Sequence, residues 1–114
     1  MEGFFQIAFT GTAGSGFGML VLQKGVVVGA DVAGASYDGS YTENELTGQL
    51  DFEITMNAPA GVTPVQTGIP LTSPISLPIK ASLLRDDIGT EKPTLVHTPL
   101  GPVNVLFKKI RDFP

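Results

Sequence analysis

Leu46-Thr47-Gly48-Gln49-Leu50-Asp51-Phe52-Glu53-Ile54-Thr55-Met56-Asn57 is the stretch on which the fold turns. Leu46, Gly48, Leu50, Phe52, Ile54 and Met56 occupy every second position, and Thr47, Gln49, Asp51, Glu53, Thr55 and Asn57 fill the gaps. Successive side chains of a strand point to opposite faces, so this segment can lay one side on a core and leave the other in water. At helical spacing the same residues would scatter around the axis, so a strand over Leu46–Asn57 is expected.

The same period recurs on both sides. Ile75, Leu77, Ile79, Ala81 and Leu83 alternate with Ser76, Pro78, Lys80 and Ser82, and Pro78, which has no N–H to donate, marks an edge strand or a bulge. Phe5, Ile7 and Phe9 share a face within Phe4–Thr10. Phe17–Leu22 and Val26–Val28 flank Gln23-Lys24-Gly25, a glycine-containing link that reads as a hairpin. A strand over Ala33–Tyr41 would place Ala33, Ala35, Tyr37 and Tyr41 on one side. Pro59, Pro64, Pro70 and Pro74 punctuate Ala58–Pro74, expected to cross the barrel mouth as a loop with a short strand around Val65–Thr67. Leu95–His97 and Val103–Lys108 supply the last two strands.

About eight short strands and no uninterrupted 3.6-residue period describe an all-β, small antiparallel meander. Closure into a barrel is preferred because consecutive strands look hairpin-linked and because closure removes edges that a weakly charged chain protects poorly. At 114 residues the chain is read as one domain spanning 1–114, long enough for a core without disulfide or metal staples. Charged residues make up only 16% of it, so apolar surface is expected to be hidden in a subunit interface or inside the barrel.

Composition excludes several functions. A net charge of −4 with seven basic residues argues against direct nucleic-acid binding, which is built from clustered Lys and Arg. Lys108, Lys109 and Arg111 read as a solvated strand end. The chain has no cysteine, which suits a cytoplasmic location, and its first residues do not form a signal peptide. No run approaches the ~18 apolar residues of a membrane helix, so membrane insertion is not expected.

No enzymatic constellation emerges either. His97 is the only histidine, which removes multi-histidine metal sites, and no motif calls for a cofactor. Gly11-Thr12-Ala13-Gly14-Ser15-Gly16-Phe17-Gly18 lacks the Lys-Ser/Thr of a phosphate loop, and Ala13 stands where a nucleophile elbow needs glycine. Asp51 and Glu53 would lie about 6.6 Å apart on one strand face, a separation reminiscent of glycosidase carboxylates, but on the polar side. A non-enzymatic protein is the expectation. Two candidate sites remain: the acidic tip Thr42-Glu43-Asn44-Glu45, since loops carry recognition, and a barrel interior lined by Phe5, Ile7, Phe9, Leu50, Phe52, Ile54 and Met56 that could hold an apolar or lipid ligand.

A sequence of motifs gives the first of these sites a partner. Gly16-Phe17-Gly18-Met19-Leu20-Val21, Lys24-Gly25, Gly29-Ala30-Asp31-Val32-Ala33 and Tyr37-Asp38-Gly39, followed by the acidic tip, resemble in order and spacing the GrlR-like negative regulators of type III secretion genes. The resemblance covers roughly the first half of the chain. It implies a lipocalin-like barrel, a homodimer, an apolar cavity and repression through protein contact with a transcriptional activator. Where that family carries four consecutive carboxylates, this chain has Glu43, Asn44, Glu45 and Leu46.

Overall fold

The computed structural model describes residues 1–114. Eight strands follow one another: β1 (Gly3–Gly11), β2 (Gly14–Gln23), β3 (Val26–Asp31), β4 (Ser36–Glu43), β5 (Gln49–Ala58), β6 (Ile75–Leu84), β7 (Thr94–Thr98) and β8 (Gly101–Arg111). The only helical piece is a single 3-10 turn, Arg85–Asp87. All neighbours are antiparallel, in the order β6-β5-β4-β3-β2-β1-β8-β7. The two end strands, β6 and β7, come to lie beside each other without a shared ladder, so the sheet is a nearly closed meander barrel. No helix is long and apolar enough to cross a membrane.

Alternation sets what faces inward. Tyr41, Phe52 and Ala81 stand side by side across β4, β5 and β6, as do Gly39, Ile54 and Ile79 one step along. A register slip of one residue would turn this whole row outward, which is why the hydrophobic pattern pins the pairing. Phe5, Leu22, Val27 and Leu50 are essentially inaccessible and form the most tightly packed end of the core. Glycine lets the strands curve: a Cβ on Gly39 would sit 2.1 Å from the carbonyl oxygen of Glu53.

Turn chemistry explains the strand ends. Lys24 (φ 50°) and Gly25 (φ 79°) both occupy the left-handed region, as a two-residue hairpin with the sheet's natural twist requires. Pro78 lies on β6, at the end of the sheet. Lys108, Lys109 and Arg111 lie where β8 outruns β7, whose pairing stops at Val105.

Beyond strands that run a few residues longer than expected, the structure departs from expectation at three places. The fourth strand begins at Ser36, not Ala33, because the Asp31 carboxylate accepts bonds from the N–H groups of Ala33 and Ala35 and holds Val32–Ala35 as a turn. The fifth begins at Gln49, not Leu46: Asn44 Oδ1 accepts from Leu46 N and Thr47 N, and Gly48 adopts φ 76°, so Leu46 projects into solvent. No strand forms over Val65–Thr67, where the Pro64 carbonyl accepts from Thr67 N and Gly68 N to make a turn.

Candidate functional site: an apolar cavity at one end of the barrel

Inward-facing residues of β4 and β5 meet those of β8 in an aromatic layer. Tyr41 stacks on Phe52 with centroids 6.0 Å apart, and Phe52 on Phe107 at 6.1 Å. On one side of this layer the core is filled by Phe5, Leu22, Val27 and Leu50. On the other side the wall thins to Gly16 on β2 and Ala81 on β6, and a cavity of about 190 Å³ remains. The Phe9 ring takes the place a Gly16 side chain would fill, since a Cβ there would lie 2.7 Å from it, whereas Ala81 borders the open space with a methyl group alone.

The proline-rich loop between β5 and β6 lies over this space, with Val62, Thr63, Pro64, Val65 and Gln66 contributing to its wall. It is fastened at two points. Ala13 N donates to the Val65 carbonyl at 2.8 Å, and Gln66 Nε2 donates to Thr98 Oγ1 at 3.1 Å. The close approach depends on glycine, because a Cβ on Gly11 would lie 2.5 Å from the Val65 oxygen. The glycine run Gly11–Gly18 is therefore a hairpin and a seat for the covering loop.

Of the residues proposed from sequence to line the interior, Ile7, Phe9, Phe52, Ile54 and Met56 border the cavity, whereas Phe5 and Leu50 belong to the filled end. Sequence reading missed Val96, Val103, Val105 and Phe107 on the far wall, although their alternation on β7 and β8 was visible. It also missed Asp31 and Tyr37. Both continue the inward row, since Gly29 pairs with Tyr37 and Asp31 follows Gly29 by two positions. The Tyr37 hydroxyl donates to Asp31 Oδ2 at 2.7 Å, and burial, reinforced by that bond and by the Asp31 charge, pushes the phenol pKa far above its ordinary value. Tyr37 is a neutral donor at physiological pH.

The acidic tip is divided between two environments. Glu43 ends β4 with its side chain only 16% exposed, contacting the Met1 amine and accepting from Arg85 Nη1 at 2.6 Å. The amine bond holds its carboxyl below the usual carboxylate range against partial desolvation, and Arg85 adds to the effect. Asn44 is committed to the turn, its Oδ1 bonded as above and its carbonyl accepting from Gly48 N at 2.7 Å. Thr42 and Glu45 are exposed, and Leu46 beside them is 98% exposed.

The remaining carboxylates singled out from sequence, and the histidine, lie outside the barrel. Asp51 is exposed and accepts from Ser82 Oγ at 2.5 Å and Gln49 Nε2 at 2.9 Å, which lowers its pKa. Glu53 faces Lys80 at 3.6 Å, and His97 is exposed on β7. Asp51 and Glu53 thus do not converge on a pocket. No three His, Cys, Asp or Glu side chains cluster closely enough to hold a metal ion.

An apolar patch also runs along the outer wall. Phe17 and Met19 of β2 and Val26 and Val28 of β3 are each between 42% and 57% exposed, and Val21 pairs directly with Val28. Compared with known proteins, the chain matches no family model and no curated sequence, so geometry carries the functional argument.

Proposed function

We propose that the chain is a small, non-enzymatic binding protein whose barrel interior takes an apolar small molecule. The observation that carries this reading is the walled, hydrophobic cavity beneath a loop bonded to two different hairpins. An engineered apolar cavity of about 150 Å³ stays dry and binds benzene, so a space of this size suits a body of roughly ten non-hydrogen atoms or fewer. Burial at about 0.8 kcal/mol per methylene would give a six-carbon chain an affinity in the submillimolar range. Titration with 1-hexanol, followed by amide and methyl NMR shifts, should move the resonances of Ile54, Val103 and Phe107. Unchanged spectra at about ten times that concentration would remove the reading.

A second reading has its own observation. Leu46, almost fully exposed beside Glu45, presents an apolar side chain that makes no contribution to the core. Loop tips that combine a charge with an apolar anchor suit protein partners. This supports a negative regulator of the kind the sequence resembles, contacting a transcriptional activator through Thr42–Leu46 in the cytoplasm, with Glu43 and Asn44 shaping the tip. The apolar outer face of β2 and β3 supports a homodimer. Charge reversal at Glu45 together with Leu46→Ser should abolish capture of such an activator while leaving the fold intact.

A further inference from the structure

Asp31 is the only charged residue on the cavity wall, and no Lys, Arg or His accompanies it. It reaches the interior because β2 offers glycine opposite: a Cβ on Gly18, its cross-strand partner, would lie 3.0 Å from Asp31 Cβ. The carboxylate takes part in none of the chain's ion pairs. Its three bonds come from neutral donors, the N–H groups of Ala33 (3.0 Å) and Ala35 (3.1 Å) on Oδ1 and the Tyr37 hydroxyl on Oδ2. An ionised carboxylate offers about four lone-pair sites, so one on Oδ2 remains for a ligand.

We propose that the cavity selects small apolar amines, the hydrocarbon body packing against Ile54, Phe52 and Phe107 and the protonated nitrogen donating to Asp31. The proposal rests on the cavity being a ligand site and adds the chemical class of what enters it. A negative charge with no positive neighbour, set in the wall of an apolar space, attracts a cation more strongly than in bulk water and repels an anion equally. Fatty carboxylates are therefore poor occupants: nothing on the wall offers their head group a positive charge. The bonds from Ala33, Ala35 and Tyr37 fix the carboxylate in one orientation, so a ligand meets a preorganised acceptor rather than a mobile side chain.

The test compares n-hexylamine, 1-hexanol and hexanoate, three probes with the same hydrocarbon body, by NMR titration of the full chain at pH 7 and low salt. An ordering of amine over alcohol by about tenfold and alcohol over carboxylate by a similar factor is expected for one partly shielded charge. In Asp31→Asn, whose amide oxygen still accepts the turn N–H groups, the preference for amine over hexanol, read as the ratio of the two affinities in that variant, should fall to about twofold or less. If hexanol binds but the amine binds no more tightly, amine selectivity is refuted and the cavity reading survives. If none of the three binds, both fall together. Should Asp31→Asn fail to fold, the wild-type ordering and its loss at 0.5 M salt decide alone.

Discussion

Filling the cavity is expected to stabilise the protein and block it at once, and Ala81→Leu is the substitution to make. Ala81 faces inward on β6 opposite Phe52, and its methyl group borders the cavity. Leucine adds three carbons, which at about 0.8 kcal/mol per buried carbon contribute roughly 2.4 kcal/mol. Fixing the longer side chain costs about 0.5–1 kcal/mol of rotamer entropy, leaving a net gain near 1.5 kcal/mol. For a domain of this length that corresponds to a rise in Tm of roughly 6 °C. Urea denaturation followed by circular dichroism should show the midpoint moving up with an unchanged slope, and hexanol should cease to shift the NMR spectrum. Destabilisation by about 1–3 kcal/mol, the usual result of inserting carbons into a filled core, would mean that the space beside Ala81 is not there.

Other perturbations probe different parts of the argument. Glu43 has its carboxyl pKa lowered in the folded state by the amino terminus and Arg85, so its stabilising effect is present above the unfolded carboxylate value of about 4.3 and is lost as pH falls through the folded value. Glu43→Gln should therefore have a lower urea midpoint than wild type at pH 7, and the two should converge towards pH 3. Gly39→Ala should cost about 2–4 kcal/mol or prevent folding, because its Cβ would strike the Glu53 carbonyl, whereas Gly61→Ala, with φ 93° but open space around it, should cost only about 1 kcal/mol in the same denaturation assay. Leu46→Ser should leave stability within about 0.5 kcal/mol, since the side chain touches no core residue, and a larger loss would show that the tip is structural. Met19→Glu with Val28→Glu should convert a dimer into a monomer in analytical ultracentrifugation; an unaltered sedimentation coefficient would place any interface elsewhere.

The meander was legible in the sequence because strand alternation, hairpin chemistry and proline punctuation are local. Leu50, Phe52, Ile54 and Met56 could be assigned to one face from spacing alone, and Lys24-Gly25 to a turn from residue type alone. The errors arose where a side chain bonds to nearby backbone. Asp31 and Asn44 each capture two N–H groups and delay the start of the next strand, which the apolar pattern alone would have begun at Ala33 and Leu46.

What tertiary structure alone decided is which residues share a space. The cavity is volume left over between Gly16, Ala81 and Phe107, residues from strands far apart in the chain, and no periodicity within one strand reports it. Likewise the acidic tip reads as Glu43 and Glu45 side by side, yet Glu43 ends β4 and is held by Met1 and Arg85, which only the tertiary structure brings to the same end of the barrel, whereas Glu45 lies in the exposed turn beyond. Local chemistry selects the elements; the distances between distant side chains, set by strand register and curvature, decide which charge is tied down, which is free, and that Asp31 looks into an apolar interior.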